Sequence, residues 1–239
     1  MIDGIVFRDR TIGVALGISI DGTKRVLGIR DGSTENATVA RALLSDLIDR
    51  GLRTDRTLLF VIDGSKALRK AISEVFGDRA VVQRCQVHKR RNVRDHLPRE
   101  LQPSVDQAMA QAYDSDREDL AQRQLERLAA SLEAKYPSAA ASIREGLEET
   151  LSLQRLGIRG TLYKTLRSTN AIENLNGSIA QFTRRVTRWR DGKMVLRWVA
   201  TAVLEAEKKF RRIRGYKDML QLSEALGWQA GVDPKENVA

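Results

Sequence analysis

Two apolar, β-rich runs end in the same dipeptide. Met1-Ile2-Asp3-Gly4 and Phe60-Val61-Ile62-Asp63-Gly64 each carry an aspartate where strand-forming sequence gives out. Carboxylates at neighbouring strand positions can converge on one face and share cations, and ligand sites in such sheets favour the carboxyl ends of strands. The competing reading is local: Asp3 sits in a turn, where Asp-Gly is common, and Asp63 or Ser65 caps the helix that follows. A third carboxylate, Glu173, lies in Ser168-Thr169-Asn170-Ala171-Ile172-Glu173-Asn174-Leu175-Asn176. Asn170 as N-cap with Glu173 three residues on has the spacing of a capping box. A glutamate in the first turn of a helix packed against the sheet also projects toward the strand ends. Three acidic side chains meeting there can hold two divalent ions about 4 Å apart, one activating a nucleophile and one stabilising a leaving oxygen. Oxygen-only ligands select Mg²⁺ or Mn²⁺ over zinc, so two such ions are the expected cofactors.

Cys85-Gln86-Val87-His88 has the spacing of zinc ligands, but the chain has one Cys and two His. A Cys/His tetrahedron therefore cannot close without carboxylates. A cysteine nucleophile needs a partnered His, and nothing else in the sequence supports that chemistry. Cys85 is expected at a strand end, with His88 ordering the site or approaching phosphate alongside Lys89, Arg90, Arg91 and Asn92.

Charge placement narrows the substrate. Of the 239 residues, 41 are Lys or Arg and 31 are Asp or Glu, a formal net charge of +10 that favours polyanions. Asn174 to Lys217 carries twelve basic and three acidic residues, and Arg79 to Leu97 carries six and one. Arg99 to Leu153 reverses the sign, with six basic and eleven acidic residues. Such runs are often only solvated faces. Two cationic segments converging beside a carboxylate cluster would instead suit a nucleic-acid backbone. Lys89, Arg90, Arg91, Arg184, Arg185, Arg188 and Arg190 are the candidate phosphate contacts, and Trp189 either stacks on an unpaired base or is buried against the insertion.

The positioning elements follow from periodicity. Ile2 to Phe7, Thr11 to Ile20 and Lys24 to Ile29 read as strands of an antiparallel meander, the last two joined at Asp21-Gly22. Ala37 to Arg50 is helical, Thr57 to Ile62 a strand buried on both faces, Lys66 to Phe76 a helix, Ala80 to Gln83 a strand, and a helix begins near Val87. This alternation predicts a mixed α/β sheet flanked by helices. From Pro98 to Leu156 the composition turns to Ala, Leu, Glu and Gln, predicting an all-helical insertion with a break at Tyr136-Pro137 and a helix over Ser138 to Leu153. Met194, Val195, Trp198, Val199, Ala202, Val203, Ala206 and Phe210 form a later apolar stripe that places Trp198 in the core. Residues after Leu226 read as a tail. One cysteine, no charge-free run near 20 residues and no basic-then-apolar leader lead to the expectation of a reducing, soluble, intracellular protein without membrane partners.

The ordered set of Asp3-Gly4, Val61-Ile-Asp-Gly-Ser-Lys-Ala-Leu-Arg-Lys-Ala-Ile72, Gln83-Arg-Cys-Gln-Val-His-Lys-Arg-Arg-Asn-Val93 and Ser168 to Asn176 resembles the mutator-type DDE transposases of bacterial insertion sequences. Four ordered motifs over nearly the whole chain make the likeness specific. It implies an RNase H-like catalytic domain of residues 1–97 and 157–239, interrupted by a helical insertion at 98–156. It also implies Asp3, Asp63 and Glu173 as the metal-binding triad, Cys85 and His88 as the family's C-x-x-H element, and DNA ends and target DNA as partners of an oligomer, a dimer on DNA. Family members carry helix-turn-helix-like segments ahead of the first catalytic strand, whereas Asp3 stands at the start here, so the first strand is expected to be clipped. The expected activity is two-metal DNA cleavage and strand transfer. The alternatives are a non-catalytic DNA-binding or dimerisation remnant of such an enzyme, and a ribonuclease H-like nuclease.

Overall fold

The computed structural model describes residues 1–7, 10–32 and 37–228. Strands β1 (Ile2–Phe7), β2 (Arg10–Ile18) and β3 (Lys24–Gly32) form an antiparallel sheet in the order β1-β2-β3. β1 pairs with β2 along its whole length, from Ile2 opposite Ala15 to Phe7 opposite Arg10. After α1 (Ala37–Asp49), strand β4 (Leu58–Ile62) pairs in parallel with β5 (Ala80–Arg84), α2 (Lys66–Phe76) supplying the crossover. The expected single mixed sheet is thus two laddered sheets: β4 lies against β1 without forming a ladder with it.

The period-2 alternation of β2 decides what covers each face. Ile12, Val14 and Leu16 point to one side, packing with Ile172, Leu175 and Ile179 of α10 (Asn170–Thr183) and Val195, Val199 and Ala202 of α11 (Gly192–Glu207). Ala15 faces the other, toward Leu43, Leu44 and Leu47 of α1 and Leu68, Ile72 and Phe76 of α2. β4 is covered on both sides, as its unbroken apolar run predicts: Phe60 and Ile62 join the α1/α2 core, and Leu59 packs against Leu162, Leu166 and Leu222.

Between α3 (Gln86–Arg94) and α9 (Gly160–Leu166) the chain is entirely helical: α4 (Gln102–Tyr113), α5 (Glu118–Leu132), α6 (Pro137–Arg144), α7 (Leu147–Thr150) and α8 (Ser152–Arg155). Its stripe of Ala121, Leu125 and Leu132 closes a separate core with Met109, Ile143 and Leu151. The helix expected over Ser138 to Leu153 is broken into three. Gly146 sits at φ +62, and a Cβ there would lie 2.8 Å from Arg84 Nη1. The Glu145 carbonyl, turned out of the helix ladder, accepts from Arg84 Nη1 at 3.0 Å and from Lys89 Nζ. The break is therefore a tertiary demand from β5, invisible to local periodicity.

That junction makes Lys89 a structural cation rather than a phosphate contact. It is fully buried. Desolvation, with the nearby Arg84 charge, pulls its pKa down to about 8 against the opposing pull of Glu145. A lysine depressed in the folded state costs stability fully below its folded pKa, and the cost fades as pH rises toward the unfolded value near 10.5. Lys89→Met leaves the Glu145 carbonyl with Arg84 and the Glu145 carboxylate with Arg84 and Lys66. We expect the variant to have a higher unfolding midpoint at pH 7 and to lose the gain in stability between pH 8 and 10. Denaturant titrations at four pH values check this, and a lower midpoint at pH 7 would contradict it.

Candidate functional site

Asp63 follows the last residue of β4 and leads into α2. Its Oδ1 accepts from the Ser65 amide at 2.9 Å, and Ser65 in turn N-caps α2 by accepting from Leu68 N at 3.3 Å. Of the two residues considered as caps, Ser65 takes that role, and Asp63 orders the turn that precedes it. The turn also depends on Gly64: its φ is +115, and a Cβ would fall 2.4 Å from Arg84 Nε. Bare backbone at 64 lets the buried Arg84 guanidinium lie across the turn that carries Asp63.

Asp3 lies within β1, opposite Val14, and not in a turn; it accepts from the Gly4 amide at 2.9 Å and from Asn176 Nδ2 at 2.8 Å. Asn176 stands three residues after Glu173 on α10, so one helix face carries both residues. This contact joins positions 173 residues apart. Asn176 Oδ1 is buried with no hydrogen-bond partner. The sequence motif contains Asn176, and its i, i+3 spacing from Glu173 is the signal that could have singled it out.

Glu173 forms no capping box. Thr169 precedes α10, Asn170 is the first helical residue, and the Glu173 carboxylate turns outward to accept from Thr169 Oγ1 at 2.5 Å. It thereby faces the start of α3, where Cys85 is the N-cap and its Sγ accepts from the His88 amide at 3.5 Å. His88 Nδ1 lies 3.3 Å from Cys85 Sγ, 3.3 Å from Thr169 Oγ1 and 3.7 Å from Glu173 Oε1. Burial pushes the Cys85 thiol up, but the side chains and amides of His88 and Thr169 outweigh it, and its pKa falls below the ordinary thiol value. The hydrogen bond to Cys85 raises the His88 pKa against the effect of burial, helped by the charges of Glu173 and Asp63. Thr169, which bridges His88 and Glu173, carried no sequence signal beyond its place in the motif.

Among the described residues, Cys85, His88 and Glu173 form the one group of three or more Cys, His, Asp or Glu side chains whose ligand atoms lie within 4.8 Å of one another. Asp3, Asp63 and Glu173 are not drawn that close together. Two ions about 4 Å apart spread their outer ligands more widely than one ion does.

The cationic candidates divide by surroundings. Arg91, Arg184, Arg185, Arg188 and Arg190 are exposed, whereas Arg90 is half-buried and forms a forked pair with Asp106. Arg184 and Arg185 border a groove of about 620 Å³ between α10 and α11 that also includes Lys24 and Lys209. Trp189 is packed edge-on against Phe7, ring centroids 5.3 Å apart, and so belongs to the β1 side of the core rather than to the insertion. Trp198, expected in the core, is 38% exposed and tilts against Phe182. The packed arc of α11 is narrower than its apolar stripe and leaves residue 198 at its edge. Trp228, within the expected tail, donates from Nε1 to the Thr57 carbonyl at 2.7 Å, and residues 229–239 of that tail lie outside the described residues. Among the described residues, no helix is long and apolar enough to cross a membrane.

Comparison with known proteins gives this geometry a family. The family described as Transposase, Mutator family, matches residues 3–213, a span running from Asp3 through Glu173 and the arginine-rich turn after α10. This chain belongs to the Mutator family of transposases. It is 31% identical over 219 residues to the transposase for insertion sequence element ISRM5 of Rhizobium meliloti (strain 1021), covering 92% of this chain and 54% of that one. It is 33% identical over 171 residues to the transposase for IS6120 of Mycolicibacterium smegmatis, covering 72% and 51%. With the transposase for IST2 of Acidithiobacillus ferrooxidans the identity is 26% over 219 residues, covering 92% and 73%. The chain thus spans about half the length of the first two curated relatives.

Proposed function

We propose that this chain is the catalytic part of a DNA transposase. Its core is RNase H-like, formed by residues 1–97 and 157–239 around the insertion at 98–156. It cuts DNA at insertion-sequence ends and joins the freed 3′-hydroxyl to target DNA, acting as a dimer on DNA in the bacterial nucleoid. The observation that carries the reading is the Asn176–Asp3 hydrogen bond, which ties the helix bearing Glu173 to the strand bearing the first aspartate. The strand arrangement agrees with it: an antiparallel meander ends at β1, β4 lies against β1, and β5 runs parallel beside β4.

The residues suit Mg²⁺ or Mn²⁺. Asp3, Asp63 and Glu173 are half-buried oxygen donors, and the orphaned Asn176 Oδ1 beside Asp3 is a buried acceptor of the kind a hydrated cation satisfies. When bound, two such ions supply nucleophile activation and stabilisation of the leaving oxygen. The protein's own part is alignment. Ser65 N fixes Asp63, Gly4 N and Asn176 fix Asp3, and Thr169 fixes Glu173, so little reorganisation remains for the reaction. Arg91, Arg184, Arg185, Arg188 and Arg190 bind and orient backbone phosphates.

A strand-transfer assay with a pre-cut oligonucleotide carrying the element end tests this. Joined products that require Mg²⁺ or Mn²⁺ are expected. Nicking without joining would indicate a nuclease. No product from folded, DNA-binding protein would indicate a non-catalytic module. For the interface, Arg184→Ala and Arg185→Ala should each lower the slope of log affinity against log salt by about 0.9 on duplex DNA. Fluorescence anisotropy over a range of salt concentrations measures it, and unchanged slopes would remove these residues from the interface.

A further inference from the structure

We propose that Cys85, His88 and Glu173 form a binding site for a single soft divalent cation of the zinc class, distinct from the Mg²⁺ or Mn²⁺ ions of the proposed strand transfer. The sequence alone lacks ligands for such a site, because one Cys and two His cannot complete a tetrahedron. The fold supplies the missing carboxylate from a helix 88 residues beyond Cys85 in the chain (173 − 85). Two of the three separations lie near those set by an ion. Bond lengths of about 2.3 Å to sulfur and about 2.0–2.2 Å to nitrogen and oxygen, at tetrahedral angles, put S···N near ~3.5 Å and N···O near ~3.4 Å. The corresponding distances here are 3.3 Å for Cys85 Sγ to His88 Nδ1 and 3.7 Å for His88 Nδ1 to Glu173 Oε1. A single ring nitrogen facing sulfur, carboxylate and hydroxyl cannot bond to all three through one proton, whereas an ion among them engages sulfur, nitrogen and carboxylate together.

The surroundings are those of a ligand shell. Thr169 donates to the Glu173 oxygen and holds its orientation, the outer-shell role that metal-bound carboxylates usually have filled. Cys85 is buried, while the side chains of His88 and Glu173 are 24% and 37% exposed, leaving a path for the ion and a fourth position for water. Thiolate with imidazole selects Zn²⁺ or Co²⁺ over Mg²⁺. Because the site borrows Glu173, an ion held there competes with the strand-transfer ions for that carboxylate. That competition rests on the proposed function; the site itself does not.

Titration of the full chain with Co²⁺ alone tests the site without any activity measurement. We expect one ion per chain, a near-ultraviolet sulfur-to-cobalt charge-transfer band, displacement by one equivalent of Zn²⁺, and no displacement by millimolar Mg²⁺. Cys85→Ser should abolish the band. His88→Ala and Glu173→Gln should each weaken Co²⁺ binding by at least about 100-fold, above the 10–100-fold usual for outer-shell losses. Circular dichroism of each variant confirms its fold, and Glu173→Gln, which keeps the bond from Thr169, serves if the others misfold. A missing band in the parent chain, or unchanged affinity in Glu173→Gln, would overturn the proposal. Either result would leave the strand-transfer assay to be judged on its own.

Discussion

Asp63→Asn and Glu173→Gln each reduce metal-dependent strand transfer by at least about 10²–10³-fold, the loss typical when one preorganised electrostatic group is removed from a transition state. These substitutions isolate charge from structure. An asparagine at 63 still offers an oxygen to the Ser65 amide, and a glutamine at 173 still accepts from Thr169. Unfolding midpoints should therefore move by no more than about 2 °C, as for a half-buried substitution worth about 0.5 kcal/mol. Initial rates of product formation, measured beside thermal melts and DNA affinity, give the comparison. Variants that retain more than a tenth of the parental rate would show that these carboxylates do not hold the reacting ions.

Gly64→Ala is expected to be strongly destabilising. It forces a left-handed φ of +115 on an alanine, which costs about 1–3 kcal/mol, and drives its methyl group into the Arg84 guanidinium. Arg84 has little freedom to retreat, being buried against Glu145. A total near ~3 kcal/mol corresponds to a melting temperature lower by about 6–12 °C in a protein of this size. Gly77→Ala is the control: its φ of +52 imposes a comparable backbone cost of about 1–3 kcal/mol, but nothing lies within 4 Å of the added methyl, so it should lose less than Gly64→Ala. Differential scanning calorimetry distinguishes the two. Equal losses would show that the approach of Arg84 to the Asp63 turn is unimportant.

Arg84 also illustrates where the sequence ceases to be readable. β2 follows a period-2 pattern and α1 and α2 a period-3.6 one, because each buries an apolar face against its neighbours, and β4 follows its unbroken apolar run because both of its sides are covered. The broken helix at Gly146 was hidden, because its cause is a guanidinium arriving from β5. Lys89 looked like one more cation in a basic run, and only the packing of the insertion over α3 shows it to be internal. Trp198 followed the stripe on α11 but lies beyond the arc that α10 and the sheet can cover.

The site shows the same division. Residue type and order single out Asp3, Asp63, Glu173, Cys85 and His88 as candidates. How Glu173 is used was not, because Thr169 rather than Asn170 precedes α10, which turns the expected cap glutamate toward His88. Likewise the Asn176–Asp3 contact spans 173 residues, beyond any local pattern.

Anomalous scattering from crystals of the chain with DNA and Mn²⁺ tests the proposal that Asp3, Asp63 and Glu173 together hold two reacting cations. Two peaks about 4 Å apart are expected, with an oxygen of each of the three carboxylates at bonding distance. Manganese bound elsewhere, with these side chains retaining only the protein hydrogen bonds described above, would contradict it.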